Sequence, residues 1–236
     1  MPELRALVEA AFIEQVEEFT ACAAFRRLES GGASTEDYHR FLANLVRTHS
    51  RSPQLIAFLY SLAPPDAAEE ILHNLLEELG FEEESGESHP AMLEDLAAAA
   101  GLSPVLAVLK RLATNDLRDI VSAPLMYRTL KEVGLAAMCE IVAFEFMLSR
   151  CASRIERALE AHLGLPPEAL RWFRHHAEVD IAHAEQGLEH IDTYVRYYGL
   201  TPDDARGIVG LTLRENVFVT RYFDQASPVT PRSPDR

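Results

Sequence analysis

The chain has 236 residues, of which 48% are hydrophobic, and it carries 37 acidic against 22 basic residues, a formal net charge of −15. This excess of acidic residues disfavours binding to nucleic acids and to anionic membranes. The sequence also lacks a long apolar run without charges, so it predicts no membrane span. The three scattered cysteines lack zinc or disulfide spacing, and the N-terminus lacks a signal-peptide pattern, so we expect a reduced, cytoplasmic protein.

Helical periodicity dominates the chain, and the alternating pattern of β-strands is scarce. The sequence therefore predicts one all-α domain of seven to nine helices over residues 1–223, with a disordered tail over 224–236. In chain order, helices are expected at about residues 3–28, 35–62, 66–79, 90–101, 103–114, 124–163, 167–198 and 201–223.

Residue types at the helix ends support these boundaries. Ser34 or Thr35 is the predicted N-cap of the second helix, which is expected to bend near Pro53. Gly80 is the predicted C-cap of the third helix, before an acidic loop over 81–88.

The segment HHAEVDIAHAEQGLEH, residues 175–190, contains four histidines among acidic residues. On a helix, His176, Asp180 and His183 lie within about 60° of one another, so their side chains point the same way over two turns. Imidazole nitrogens and a carboxylate oxygen on one face are suited to binding one or two metal ions. Gly187 is expected to leave open space on this face.

A solvated helix face is the alternative interpretation, because helices rich in Glu and His are common at protein surfaces. The neighbouring Trp172 and Phe173 indicate instead that much of the helix is packed. His175 and Glu178 point away from the stripe and are expected to face solvent.

The segment over residues 133–149 is apolar almost all round, which predicts a buried helix. Glu140 and Glu145 lie inside it, and a buried carboxylate needs a cation, a metal or a proton. The partner of either residue is a metal or an arginine such as Arg128 or Arg150. In the segment LLEELGFEEESGESHPAML, Glu77, Glu78 and His89 are further candidate ligands, although glutamates at helix ends are usually exposed.

The segments NLLEELG and SHP, a glutamate in a buried helix and the pattern H-x3-D-x2-H together resemble the haem-oxygenase-like di-metal oxidases and oxygenases. This family shares its fold superfamily with the thiaminase-II and pyrroloquinoline-quinone-synthesis proteins, so the resemblance implies a haem-oxygenase-like helical bundle. It covers roughly residues 40–195, and H-x3-D-x2-H is its most specific part.

The resemblance implies two iron ions held by three histidines and three carboxylates, with manganese able to use the same ligands. The implied ligands are Glu78, His89, Glu140, His176, Asp180 and His183. Glu77 and Glu82 are rivals of Glu78, and Glu145 is the rival of Glu140. Tyr194 shares the ligand stripe and is the candidate for a catalytic or substrate-contacting residue, with His190 and Tyr127 as weaker candidates.

The implied function is that of an O2-dependent oxidase or oxygenase acting on a small amino-acid-like or fatty-acid-like metabolite. The expected reactions are C–C cleavage, desaturation or N-oxygenation, and the sequence leaves the substrate and the choice between monomer and homodimer open. A metal-free enzyme of the same fold, with Cys139 as nucleophile, is the second hypothesis. An acidic helical adaptor that binds partner proteins is the third.

Overall fold

The computed structural model describes residues 2–82, 86–122 and 129–229, and within them the regular structure is entirely helical. The eleven α-helices and one short 3-10 helix of this described part are α1 (Pro2–Ala21), α2 (Ala23–Ser30), α3 (Thr35–His49), α4 (Ser52–Ser61), α5 (Ala68–Glu78), α6 (His89–Ala99), α7 (Ser103–Ser122), α8 (Leu130–Leu163), the 3-10 helix (Pro167–Leu170), α9 (Arg171–Tyr197), α10 (Pro202–Thr212) and α11 (Val217–Tyr222). The prediction of an all-α protein is therefore confirmed.

Three predicted helices are each divided into two, which accounts for the larger number of helices. The first divides at Cys22, whose sulfur accepts the Phe25 N–H and caps α2. The second divides before Ser52, because Pro53 occupies the first turn of a new helix and does not bend a continuous one. The last divides before α11, where the Asn216 side chain accepts the Val219 N–H as N-cap.

The predicted boundary signals at Ser34 and Gly80 are present. Ser34 forms a capping box with Asp37 at the start of α3. Gly80 follows α5 with a φ of 80°, and a Cβ there would lie 2.6 Å from the backbone of Glu87. Only glycine fits this turn without strain, and the turn brings the chain back toward the end of α5.

The long helix α8 and the histidine-rich helix α9 share the most extensive helix–helix contact. Gly187 of α9 allows this approach, because a Cβ there would lie 2.6 Å from Val142 of α8. The expectation that Gly187 leaves open space is therefore wrong: the position is filled by the neighbouring helix. Trp172 and Phe173 at the start of α9 are fully buried, and burying each such side chain contributes about 1.5–3 kcal/mol.

The first part of the predicted tail contacts the helical bundle. Arg47 of α3 donates to the Asp224 carboxylate at 3.0 Å, and the Asn44 amide donates to the Asp224 carbonyl at 2.9 Å. Ser227 is also buried. Residues 224–229 are thus held against α3, whereas residues 230–236 lie outside the described part, as do Tyr127 and Arg128. None of the described helices is both long and apolar enough to cross a membrane.

Candidate metal centre

Side chains from three separate helices converge in the interior. One donor atom each of Glu78, His89 and His176 lies within 4.8 Å of the others. All three residues are buried, and Glu78 Oε1 lies 3.1 Å from His89 Nδ1. Glu78 ends α5 and His89 begins α6, so the turn at Gly80 places both at one point of the interior. A carboxylate with two imidazoles is a donor set typical of protein-bound iron or zinc.

The ring of His176 is fixed in one tautomer. Its Nδ1 lies 2.8 Å from the carbonyl oxygen of Trp172, and a carbonyl only accepts, so Nδ1 carries the proton. Burial and the neighbouring His89 lower the pKa of His176 well below its usual value, so the ring is neutral. Its Nε2 therefore has a free lone pair for a metal ion.

The Glu78 carboxylate is kept in its charged form despite its burial. Burial alone would raise its pKa, but His89 and the hydroxyl of Ser52 outweigh this effect, and the pKa lies below its ordinary value. Ser52 Oγ donates to Glu78 Oε2 at 2.6 Å. The residue thus offers an anionic oxygen to a cation at neutral pH.

Asp180 and His183 lie next to the trio, on the same face of α9. Asp180 is 2% exposed, and its Oδ2 has no hydrogen-bond partner among the described residues. Burial, followed by the charge of Glu78, raises the pKa of Asp180 well above its usual value. A buried carboxylate without a partner is costly, and a cation bound there would remove this cost. The donor set therefore fits a metal ion.

The two glutamates of α8 have different partners. Glu140 Oε1 accepts from Arg221 at 2.7 Å, so the arginine alternative holds for Glu140, although with a residue of α11. Arg150 lies over the Phe146 ring instead. Glu145 accepts from the Asn74 amide at 2.9 Å.

The pKa of Glu145 reveals its surroundings. Burial is the largest cause that raises the pKa of Glu145, which lies at about 7. The charge of His183 lowers this pKa, and the charge of Asp180 raises it. Glu145 thus interacts electrostatically with Asp180 and His183 of α9. Both glutamates line the same cavity as the trio, but the structure does not bring Glu140 into contact with the trio.

A cavity of about 90 Å³ adjoins all of these groups. Its polar wall includes Glu78, His89, His176, Asp180 and His183. Apolar side chains of α4, α7 and α8 form the remaining wall, namely Leu55, Ile56, Ala113, Leu117, Ile141, Phe144 and Leu148. This arrangement gives a small molecule an apolar surface directly beside the candidate ligands.

Two residues of α9 differ from their predicted surroundings. Tyr194 is fully buried, its hydroxyl donates to the Lys131 carbonyl at 3.1 Å, and it is not among the residues that line the cavity. It lies eleven residues beyond His183, which is about 16 Å along the helix. The ring of His175, expected in solvent, lies 4.6 Å from the ring of His89.

Sequence reasoning missed the neighbours that hold the ligands. Ser52 precedes Glu78 by 26 residues, and its only sequence signal is its position before a helix-starting proline. Glu77, considered only as a rival ligand, has its Oε2 at 2.9 Å from His183 Nε2. The other rival, Glu82, contacts His73. These contacts depend on tertiary packing and leave no local pattern.

The comparisons with known proteins agree with the geometry. A family model described as an iron-containing redox enzyme, within the haem-oxygenase-like superfamily, matches residues 39–209. This range holds every residue of the converging trio together with Asp180, His183 and both glutamates of α8. No curated protein matches the chain.

Proposed function

The chain belongs to this family of iron-containing redox enzymes, and we propose that it is an O2-dependent, non-haem di-iron oxidoreductase acting on a small amino-acid-like or fatty-acid-like metabolite. The observation that carries the proposal is the buried trio of Glu78, His89 and His176 beside Asp180, whose Oδ2 has no hydrogen-bond partner among the described residues. Such a cluster is costly without cations, because it gathers a charged and a potentially charged carboxylate in the interior.

We assign one iron position to Glu78, His89 and His176. The second position takes Asp180 and His183, which are three residues apart on one helix face. Their Oδ1 and Nδ1 atoms are 3.7 Å apart. This separation is too long for a hydrogen bond but is suited to two ligands of one ion.

The third carboxylate in this proposal is Glu145 and not Glu140. Glu140 is neutralised by Arg221 at 2.7 Å, whereas the pKa of Glu145 responds to His183 and Asp180. Manganese would use the same set of ligands.

Two Fe(II) ions held in this way would supply the electrons for O2 activation. The chain's own contribution is to prepare the ligands before a metal arrives. Trp172 fixes the tautomer of His176, and Ser52 holds the anionic form of Glu78. The apolar wall formed by side chains such as Ile141 and Phe144 excludes bulk water from the reacting groups.

The cavity supports a substrate with an acidic group and an apolar body. Arg51 lines it, and its guanidinium donates to the Thr114 hydroxyl at 3.1 Å but pairs with no carboxylate in the described part of the chain. The other two arginines of the lining, Arg47 and Arg221, are each paired with carboxylates. Arg51 is thus the side chain best suited to receive an acidic group of the substrate.

The metal-free hypothesis receives no support from Cys139. The residue is fully buried in α8, and burial raises the pKa of its thiol to about 12. Because the thiolate is the nucleophilic form, this cysteine is not activated for covalent catalysis.

Anaerobic loading with Fe(II) followed by exposure to O2 tests the proposal. We expect about two irons per chain and O2 consumption that a strong chelator abolishes. The double variant H176A/H183A should lose the iron, and H39A, which alters a histidine of α3 outside the cavity lining, should keep it. Full iron content in the double variant, or O2 consumption that survives the chelator, would contradict the proposal.

A further inference from the structure

The consecutive residues Glu77 and Glu78 at the end of α5 point in different directions, because neighbours on a helix are separated by about 100°. Glu78 faces His89 and Ser52. Glu77 faces His183, with 2.9 Å between its Oε2 and the Nε2 of the imidazole. Glu77 is not part of the converging trio, so the structure separates the roles of the two carboxylates.

The imidazole of His183 lies between two carboxylates. Its Nδ1 faces Oδ1 of Asp180 at 3.7 Å, and its Nε2 faces Oε2 of Glu77 at 2.9 Å. A histidine that binds a metal through one nitrogen carries its proton on the other nitrogen, and that N–H needs an acceptor. Oε2 of Glu77 is buried and has no aligned donor among the described residues, so it has the capacity to accept.

We infer that Glu77 is a positioning residue for the second metal position: it accepts the Nε2–H of His183 and leaves Nδ1 as the metal-binding nitrogen on the side of Asp180. This inference rests on the proposed di-iron function. His73, 56% exposed on the same helix, lies 3.4 Å from the other oxygen of Glu77 and holds the carboxylate from the surface side.

The two metal positions then differ in what orients their histidines. His176 donates to the neutral carbonyl of Trp172, whereas His183 would donate to a carboxylate. A carboxylate acceptor makes the imidazole a more basic ligand than a carbonyl does. The position that contains His183 should therefore depend on Glu77, and the position that contains His176 should not.

A matched control lies two turns away on the same helices. Glu70 of α5 faces His190 of α9, with 3.6 Å between Oε2 and Nε2. This pair resembles Glu77 and His183, but none of the candidate metal ligands takes part in it. Removing the Glu70 carboxylate should leave metal binding unchanged, while any general loosening of α5 against α9 would appear in both variants.

The test is a titration of the full-length protein with Co(II), followed by calorimetry and by NMR of the paramagnetically shifted imidazole N–H signals. For the wild type and E70A we expect two ions per chain. For E77A we expect two ions with one affinity weakened about 10- to 100-fold, and faster solvent exchange of one imidazole N–H. In E77Q the amide oxygen can still accept, so this variant should recover part of the lost affinity.

The other outcomes are distinguishable. If E77A binds both ions as the wild type does, Glu77 does not position His183, and the di-iron proposal stands. If E77A binds one ion at any Co(II) concentration, Glu77 is itself a ligand and the inference is overturned. If the wild type binds fewer than two ions, the di-iron proposal fails and this inference fails with it.

Discussion

Replacing Asp180 by asparagine should stabilise the metal-free protein and reduce its stabilisation by metal, because the position that Asp180 shares with His183 loses a ligand. Asp180 is 2% exposed and its Oδ2 has no hydrogen-bond partner among the described residues. An unsatisfied buried polar group costs about 1–3 kcal/mol, and a charged one costs more. D180N keeps the shape and still buries an amide, so it removes only the extra cost of the charge, for which we expect about 1–3 kcal/mol. For a chain of this size each kcal/mol shifts Tm by about 2–4 °C, so we expect a rise of roughly 2–12 °C.

The pH dependence has a defined sign. Burial raises the pKa of Asp180 above its value in the unfolded chain, so the native state holds a proton on this carboxyl group that the unfolded state loses. The free-energy cost of burying Asp180 therefore grows as pH rises above about 4. The advantage of D180N over the wild type should therefore be present at pH 7 and disappear below pH 4, where the carboxyl group is protonated in both states.

Thermal unfolding with and without Co(II) measures both effects. At 100 times its dissociation constant, an ion bound at the position of Asp180 and His183 stabilises the wild type by about 2.7 kcal/mol. D180N should lack most of this gain, so adding Co(II) should remove most of its Tm advantage. E178Q, which alters an exposed residue of the same helix, serves as the control. A lower Tm of metal-free D180N, or an equal gain on adding Co(II), would refute the reasoning.

Three further substitutions test other features of the structure. The pKa of His49 is lowered by burial to about 4, so native stability should fall as pH drops from 6.5 to 4. The unfolding free energy of the wild type should fall relative to that of H49F by roughly 3 kcal/mol over this window, and a constant difference would contradict this. G187A should cost about 1–3 kcal/mol in denaturant unfolding, because its Cβ would lie 2.6 Å from Val142; an unchanged midpoint would show that α8 and α9 can separate. C139A should retain iron-dependent O2 consumption, since burial raises the pKa of this thiol to about 12, and a tenfold loss would revive the nucleophilic role.

The fold could be predicted from periodicity and capping residues, because both act within a few residues of sequence. The Ser34 cap and the Gly80 turn are of this kind, and both are present. The division of helices before Ser52 and at Cys22 was not predicted, because each half keeps its apolar pattern. The local causes are a proline, which was expected only to bend the helix, and a cysteine, which is not among the preferred N-cap residues.

The site was predictable where it depends on one helix. His176, Asp180 and His183 share a face because of the helical repeat, and the structure brings them to one cavity, with His176 and Asp180 buried and His183 partly exposed. Tyr194 shares that face as well, but it lies eleven residues beyond His183. The angle of a residue around the helix axis does not show its distance along the axis, so the angle alone could not exclude Tyr194 from the site. Glu140 illustrates a second limit, since its partner Arg221 is 81 residues away in sequence.

Diffraction at the iron absorption edge from a crystal soaked anaerobically in Fe(II) tests the central claim most directly. We predict two anomalous peaks per chain. One should be bound by Glu78, His89 and His176, and the other by Glu145, Asp180 and His183, with Glu140 still paired to Arg221. A single peak, or peaks remote from these side chains, would contradict the di-iron assignment.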